Sequence, residues 1–74
     1  MTRVRIEEVL RMLGADEGWL HTLRAEGLFE SDDLEPWQAE ELRVAAVWMN
    51  ELGVNAAGVD VALQLRRRLL ALEE

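Results

Sequence analysis

Cysteine, lysine and tyrosine are missing from this 74-residue chain, and proline, histidine and serine occur once each. Without cysteine there is no disulfide and no thiolate metal site, and the chain fits a reducing compartment such as the cytoplasm. One histidine, His21, and one serine, Ser31, fall on different predicted elements, so no nucleophile stands beside a base. The sequence also has no glycine-rich phosphate loop and no cluster of ligands at metal-binding spacing. No apolar run is long enough to cross a bilayer. The segment "MTRVRIEEVL" enters an amphipathic pattern containing two acids, so no secretory signal is expected. These absences predict a non-enzymatic protein that carries neither metal nor cofactor.

What remains is the balance of a folded domain. Half the residues are apolar and 31% are charged, which predicts a single globular unit over residues 1–74 rather than a disordered tail. A chain this short buries only about 60% of its extended surface, so its stability is expected to be modest. The formal charge is −7 and is unevenly placed. Residues 1–41 carry eleven acids against four arginines, whereas residues 42–74 carry four of each. An imbalance of this kind bears on partners rather than on fold. The acidic half should repel nucleic acid and anionic membrane and attract a basic protein surface.

Four helical segments are legible. In "VRIEEVLRMLG", Ile6, Val9, Leu10 and Leu13 recur at helical spacing and Gly14 supplies a stop. Asp16 is positioned to cap a second helix, "DEGWLHTLRAEG", with Trp19, Leu20 and Leu23 on one face and Gly27 at its end. Two short helices around a tight turn form a helix-turn-helix signature. Asp32 with Glu35 reads as a capping box for a third helix that carries Pro36 in its first turn. Its apolar residues fall into two stripes: Leu42, Ala45, Met49 and Leu52, and Trp37, Val44 and Trp48. Gly53 ends it, and Asn55 caps a fourth helix of roughly nineteen residues, about 28 Å at 1.5 Å per residue. There Val61, Leu65, Leu69 and Leu72 lie along one side, and Val59, Leu63 and Leu70 along another. That apolar width exceeds a single core stripe.

Several stretches resemble a known family. They are "RIEEVLRMLGA", the set Leu20, Leu23, Gly27, Leu28, Phe29 and Glu30, "ELRVAAVWMNELGVN", and above all "GVDVALQL" from Gly58 to Leu65. Their order resembles the N-terminal domain of MerR-type regulators. Within that superfamily it is more similar to the small chaperone modulators of the CbpM type, in particular the short DafA form. The resemblance spans nearly the whole chain. It implies an all-α, MerR-like helix-turn-helix of about four helices with its wing reduced to a loop. Residues 1–41 would form the acidic helix-turn-helix and loop, and residues 42–74 a helical hairpin. It also implies a cytoplasmic adaptor that binds the J-domain of a DnaJ-type co-chaperone and regulates or bridges its pairing with DnaK. Departures from the DNA-reading pattern point the same way. Where MerR-type readers carry an arginine and aromatics in the second helix, this chain has His21, Thr22 and Leu23, and its wing segment reads "ESDD".

Two readings stand side by side for several residues. Glu30, Asp32, Asp33 and Glu35 serve as caps and solvated surface, or they attract a basic partner such as the exposed helix of a J-domain. Acids at a helix start contribute roughly 0.3–1 kcal/mol each, which accounts for one or two of the four. Trp19 and Trp37 read as structural. Trp48 either packs beneath the fourth helix or forms an exposed patch with Val44 for the same partner. The excess apolar side of the fourth helix, at Val59, Leu63 and Leu70, points to a homodimer. His21 reads as surface. The run Arg66–Arg68 spreads around a helix rather than forming one face, and suits compensation of the helix dipole. The alternative from another class is a MerR-like transcription regulator gripping DNA through Arg3, Arg5, Arg11 and Arg24.

Overall fold

The computed structural model describes residues 2–15 and 17–73; the cap expected at Asp16 lies outside the described residues. The order is β1 (Val4–Arg5), α1 (Ile6–Leu13), α2 (Glu17–Ala25), β2 (Asp33–Leu34), α3 (Pro36–Glu51) and α4 (Ala56–Leu72). Four helices carry the fold, as the periodicity predicts. The segment expected as a loop in place of a wing contains instead a two-residue strand, β2. It pairs antiparallel with β1, Val4 opposite Leu34 and Arg5 opposite Asp33. Ile6 N–H donates to the Asp32 carbonyl at 2.8 Å and extends that pairing into the first turn of α1. Helix α1 therefore begins at Ile6, the first of the apolar residues that recur at helical spacing.

The ends of α1 and α2 and the start of α4 follow their sequence signals. Gly14 and Gly27 adopt left-handed backbone, φ 69° and 78°, which residues with a Cβ enter only at a cost. Each lets the next amide reach back over the helix end: Ala15 N–H to the Leu10 carbonyl at 3.0 Å, and Leu28 N–H to the Leu23 carbonyl at 3.1 Å. At the start of α4, Asn55 Oδ1 accepts from Gly58 N–H at 2.8 Å. A Cβ on Gly58 would lie 2.8 Å from Val54 Cγ1, so the glycine leaves room for the chain to enter the helix beside Val54. Asn55→Ala removes the acceptor, and its expected cost is about 1 kcal/mol in a chemical denaturation curve. A change within experimental error would show that the cap is not holding α4.

The core gathers one side of every element. Ile6, Leu23, Leu34, Leu42, Val59 and Leu63 are its most completely enclosed large side chains. Trp19, Trp48 and Met49 pack partly against it. The α3 stripe Leu42–Ala45–Met49 faces inward as expected, but its last member, Leu52, is exposed beyond the end of α3.

Candidate partner-binding surface

The acidic turn of residues 30–35 is shaped from three directions. Phe29 takes a left-handed backbone, φ 52°, which reverses the chain after Leu28. From α2, Arg24 holds the turn with its guanidinium: Nε donates to the Phe29 carbonyl at 2.8 Å, and Nη2 donates to Asp32 Oδ1 at 3.0 Å. Ser31 Oγ accepts from Asp33 N–H at 3.2 Å and tightens the turn further. At the far end Arg3, carried by the segment leading into β1, pairs with Glu35 at 3.0 Å.

This arrangement corrects two sequence expectations. Asp32 does not cap α3, because residues 33 and 34 are extended in β2 and the helix cannot start before Pro36. Glu35 is the N-cap, and Gln38 Oε1 accepts its backbone N–H at 2.8 Å. The turn has no base in its own sequence, yet the fold brings Arg24 to Asp32 and Arg3 to Glu35. Glu30 and Asp33 are left exposed, with no ion pair among the described residues. The Asp33 charge is felt by Arg5, whose pKa is held above its usual value first by Glu7 and then by Asp33. The acidic surface is thus narrower than the four carboxylates suggest, and centres on Glu30 and Asp33.

The arginines offered for a duplex are correspondingly committed. Arg3 pairs with Glu35, Arg5 with Glu7 at 3.2 Å and Arg24 with Asp32. Arg11 alone of the four has no ion pair among the described residues. It lines an open groove of about 580 Å³ together with Glu7, His21 and Asp32. On α2, Leu23 is wholly buried, so it cannot reach a base edge, while His21 and Thr22 face solvent.

The proposed Val44–Trp48 patch does not stand clear of the protein. Both residues are half-buried, and Trp48 packs against the core. Trp37, expected to be structural, is 56% exposed. It sits in the first turn of α3 and borders a shallow groove of about 240 Å³ with Leu70, Ala71 and Arg66. The self-association surface is likewise reassigned. Val59 and Leu63 are completely buried and cannot meet a second copy, and of the three predicted residues only Leu70 is exposed. The other stripe, Val61, Leu65, Leu69 and Leu72, points outward.

One buried carboxylate escaped the sequence reading. Glu41 is 3% exposed and receives two hydrogen bonds from Arg67, Nε to Oε2 and Nη2 to Oε1, both 2.7 Å. The hydrogen bond to Glu41 raises the Arg67 pKa against the opposing effect of burial. Arg67 is therefore a tie between α3 and α4 rather than a dipole-compensating surface residue. The available signal was Glu41 lying four residues before buried Ala45, on the inward face of α3.

Among the described residues no group of three or more histidine, aspartate or glutamate side chains is arranged to hold a metal ion, and no helix is long and apolar enough to cross a membrane. Comparison with family models, with curated proteins and with solved structures finds no match to the chain.

Proposed function

We propose that this chain is a non-enzymatic adaptor that binds the J-domain of a DnaJ-type co-chaperone in the bacterial cytoplasm. It covers the surface that the J-domain presents to DnaK, or bridges the two partners, as the likeness to chaperone modulators of the CbpM and DafA type implies. The observation supporting this most directly is the commitment of Arg3, Arg5 and Arg24 to neighbouring carboxylates while Glu30 and Asp33 stay open. A phosphate backbone needs free cations; a basic helix needs free acids. Opposite charge speeds the encounter, and adjoining apolar contacts supply the residence time.

The test uses the purified full chain and a DnaJ-type co-chaperone. Capture at low salt is expected, and Glu30→Lys with Asp33→Lys should slow association about tenfold, with the difference shrinking as salt rises. These two residues are chosen because reversing Asp32 or Glu35 would also release Arg24 or Arg3. Failure of the wild-type chain to bind any J-domain, or an association rate indifferent to the double reversal, would overturn the proposal. So would retention of duplex DNA in a gel shift with steep loss on adding salt.

A further inference from the structure

We infer that the shallow groove between the start of α3 and the end of α4 is a second docking site, and that it takes a short acidic peptide segment anchored by a large apolar side chain. The Glu41–Arg67 tie sets its position. Trp37 lies one turn before Glu41 on α3, and Leu70 and Ala71 lie one turn after Arg67 on α4. The hydrogen-bonded pair therefore closes one end of the groove, with the indole on one wall and the two aliphatic residues on the other. Trp37 is 56% and Leu70 44% exposed, and neither belongs to the core. The fold thus leaves a tryptophan and a leucine lining one groove at the surface. The volume of the groove, about 240 Å³, is below the roughly 300–1,000 Å³ of small-molecule sites. It admits a side chain or two of a peptide rather than a metabolite.

Charge selects the occupant. Arg66 lines the same wall as Leu70, four residues earlier on α4. It is half-buried and has no ion pair among the described residues. The carboxylates that α3 presents on this side are both engaged: Glu41 by Arg67 through two hydrogen bonds of 2.7 Å, and Glu40 by Arg43 at 2.6 Å. The Glu40 carboxyl is held below its usual pKa first by the Arg43 hydrogen bond, and it also feels the Arg66 charge. Arg66 is therefore close to Glu40 without a bond of its own. Arg43, Arg66 and Arg67 together outnumber Glu40 and Glu41, so the local surplus is positive on a chain whose total is −7. At physiological salt the distant acids are screened beyond about 8 Å, and a carboxylate arriving at Arg66 meets the local surplus rather than the total. An arginine without a partner beside an exposed tryptophan joins the two residue types that most often dominate binding energy. The site is opposite in sign to the acidic turn, so it does not rest on the co-chaperone reading.

The probe is a capped peptide with a central leucine–phenylalanine pair flanked by glutamates, titrated into the isotope-labelled full chain and followed by nuclear magnetic resonance. A Kd of about 0.1 mM is expected for so small a contact. Binding should move the Trp37 indole N–H resonance, which a Trp37→Phe variant identifies, while the amides of Glu30 and Asp33 stay in place. Arg66→Glu should weaken binding about tenfold, and Trp37→Ala about thirtyfold or more, with unchanged helical circular dichroism. Replacing the glutamates of the peptide by lysines, or its apolar pair by serines, should abolish the shift. A Trp37 resonance that ignores the acidic peptide up to about 5 mM overturns the inference. So does an equal response to the lysine peptide, or binding that survives Arg66→Glu. Should Trp37→Ala unfold the chain, Arg66→Glu and the altered peptides still decide. A Trp37 resonance that moves with the concentration of the chain alone assigns the groove to a second copy and overturns the inference as well.

Discussion

Arg67→Ala lowers the free energy of unfolding by about 2–3 kcal/mol, whereas Glu41→Ala costs clearly less. The asymmetry follows from where the two ends of the pair sit: the Glu41 side chain is 4% exposed and that of Arg67 is 49% exposed. Removing Arg67 leaves a carboxylate enclosed with both of its hydrogen-bond donors gone. Breaking a buried pair in this way costs roughly 3–5 kcal/mol, discounted here because water reaches in from the arginine side. Removing Glu41 frees a guanidinium that can turn toward solvent. A protein of this size has roughly 4–11 kcal/mol of stability in total, so the arginine change is severe. The expected fall in Tm is about 10–20 °C. Joint replacement by Glu41→Met and Arg67→Met should recover most of the loss, because an apolar pair carries no desolvation penalty. Thermal melts of the single and double variants decide the matter. Equal losses from the two alanine changes would show that the carboxylate is not as enclosed as its position indicates.

Leu63→Ala and Leu65→Ala, two residues apart on one helix, separate by about 3 kcal/mol. Leu63 is fully buried and packs in the same core as Val59 and Leu42, so truncation leaves a cavity beneath α4. Leucine truncations of this kind cost roughly 2.7–5 kcal/mol, depending on how far the surroundings collapse. Leu65 points outward, and its truncation in dilute solution should change stability by no more than about 0.5 kcal/mol. Chemical denaturation at low protein concentration, where pairing between copies contributes little, reads the difference directly. Similar effects at the two positions would mean that α4 is rotated from the placement described.

Much of this architecture was legible in the residues. Four helices, the stops at Gly14, Gly27 and Gly53, and the Asn55 cap all rest on local chemistry that a short window contains. The strands were not, because two-residue strands have no periodicity and their pairing joins positions about thirty residues apart. That hidden pairing also explains the displaced cap, since extending Asp33 and Leu34 moves the helix start from Asp32 to Glu35. The two apolar stripes of α4 are visible in the sequence, but their spacing alone assigns the outward side to Val59, Leu63 and Leu70, and the structure reverses this by burying Val59 and Leu63 completely. Both stripes are rich in aliphatic residues, and the position of Arg67 opposite Glu41 shows which one turns inward. For the acidic turn, composition identified the carboxylates but not the arginines that reach them. Arg3 lies thirty-two residues from Glu35 in the chain, and a reading of neighbours has no means of pairing them.

The β1–β2 ladder, together with the Ile6–Asp32 hydrogen bond, closes residues 4–34 into a ring that contains both α1 and α2. Closing such a ring carries an entropic cost that a peptide excised from it never meets. A synthetic fragment covering residues 28–37 would carry the same carboxylates without the outline that Arg24 and the ladder give them. Recognition of that outline is therefore conditional on the intact ring, and an isolated peptide is a poor surrogate for the folded surface.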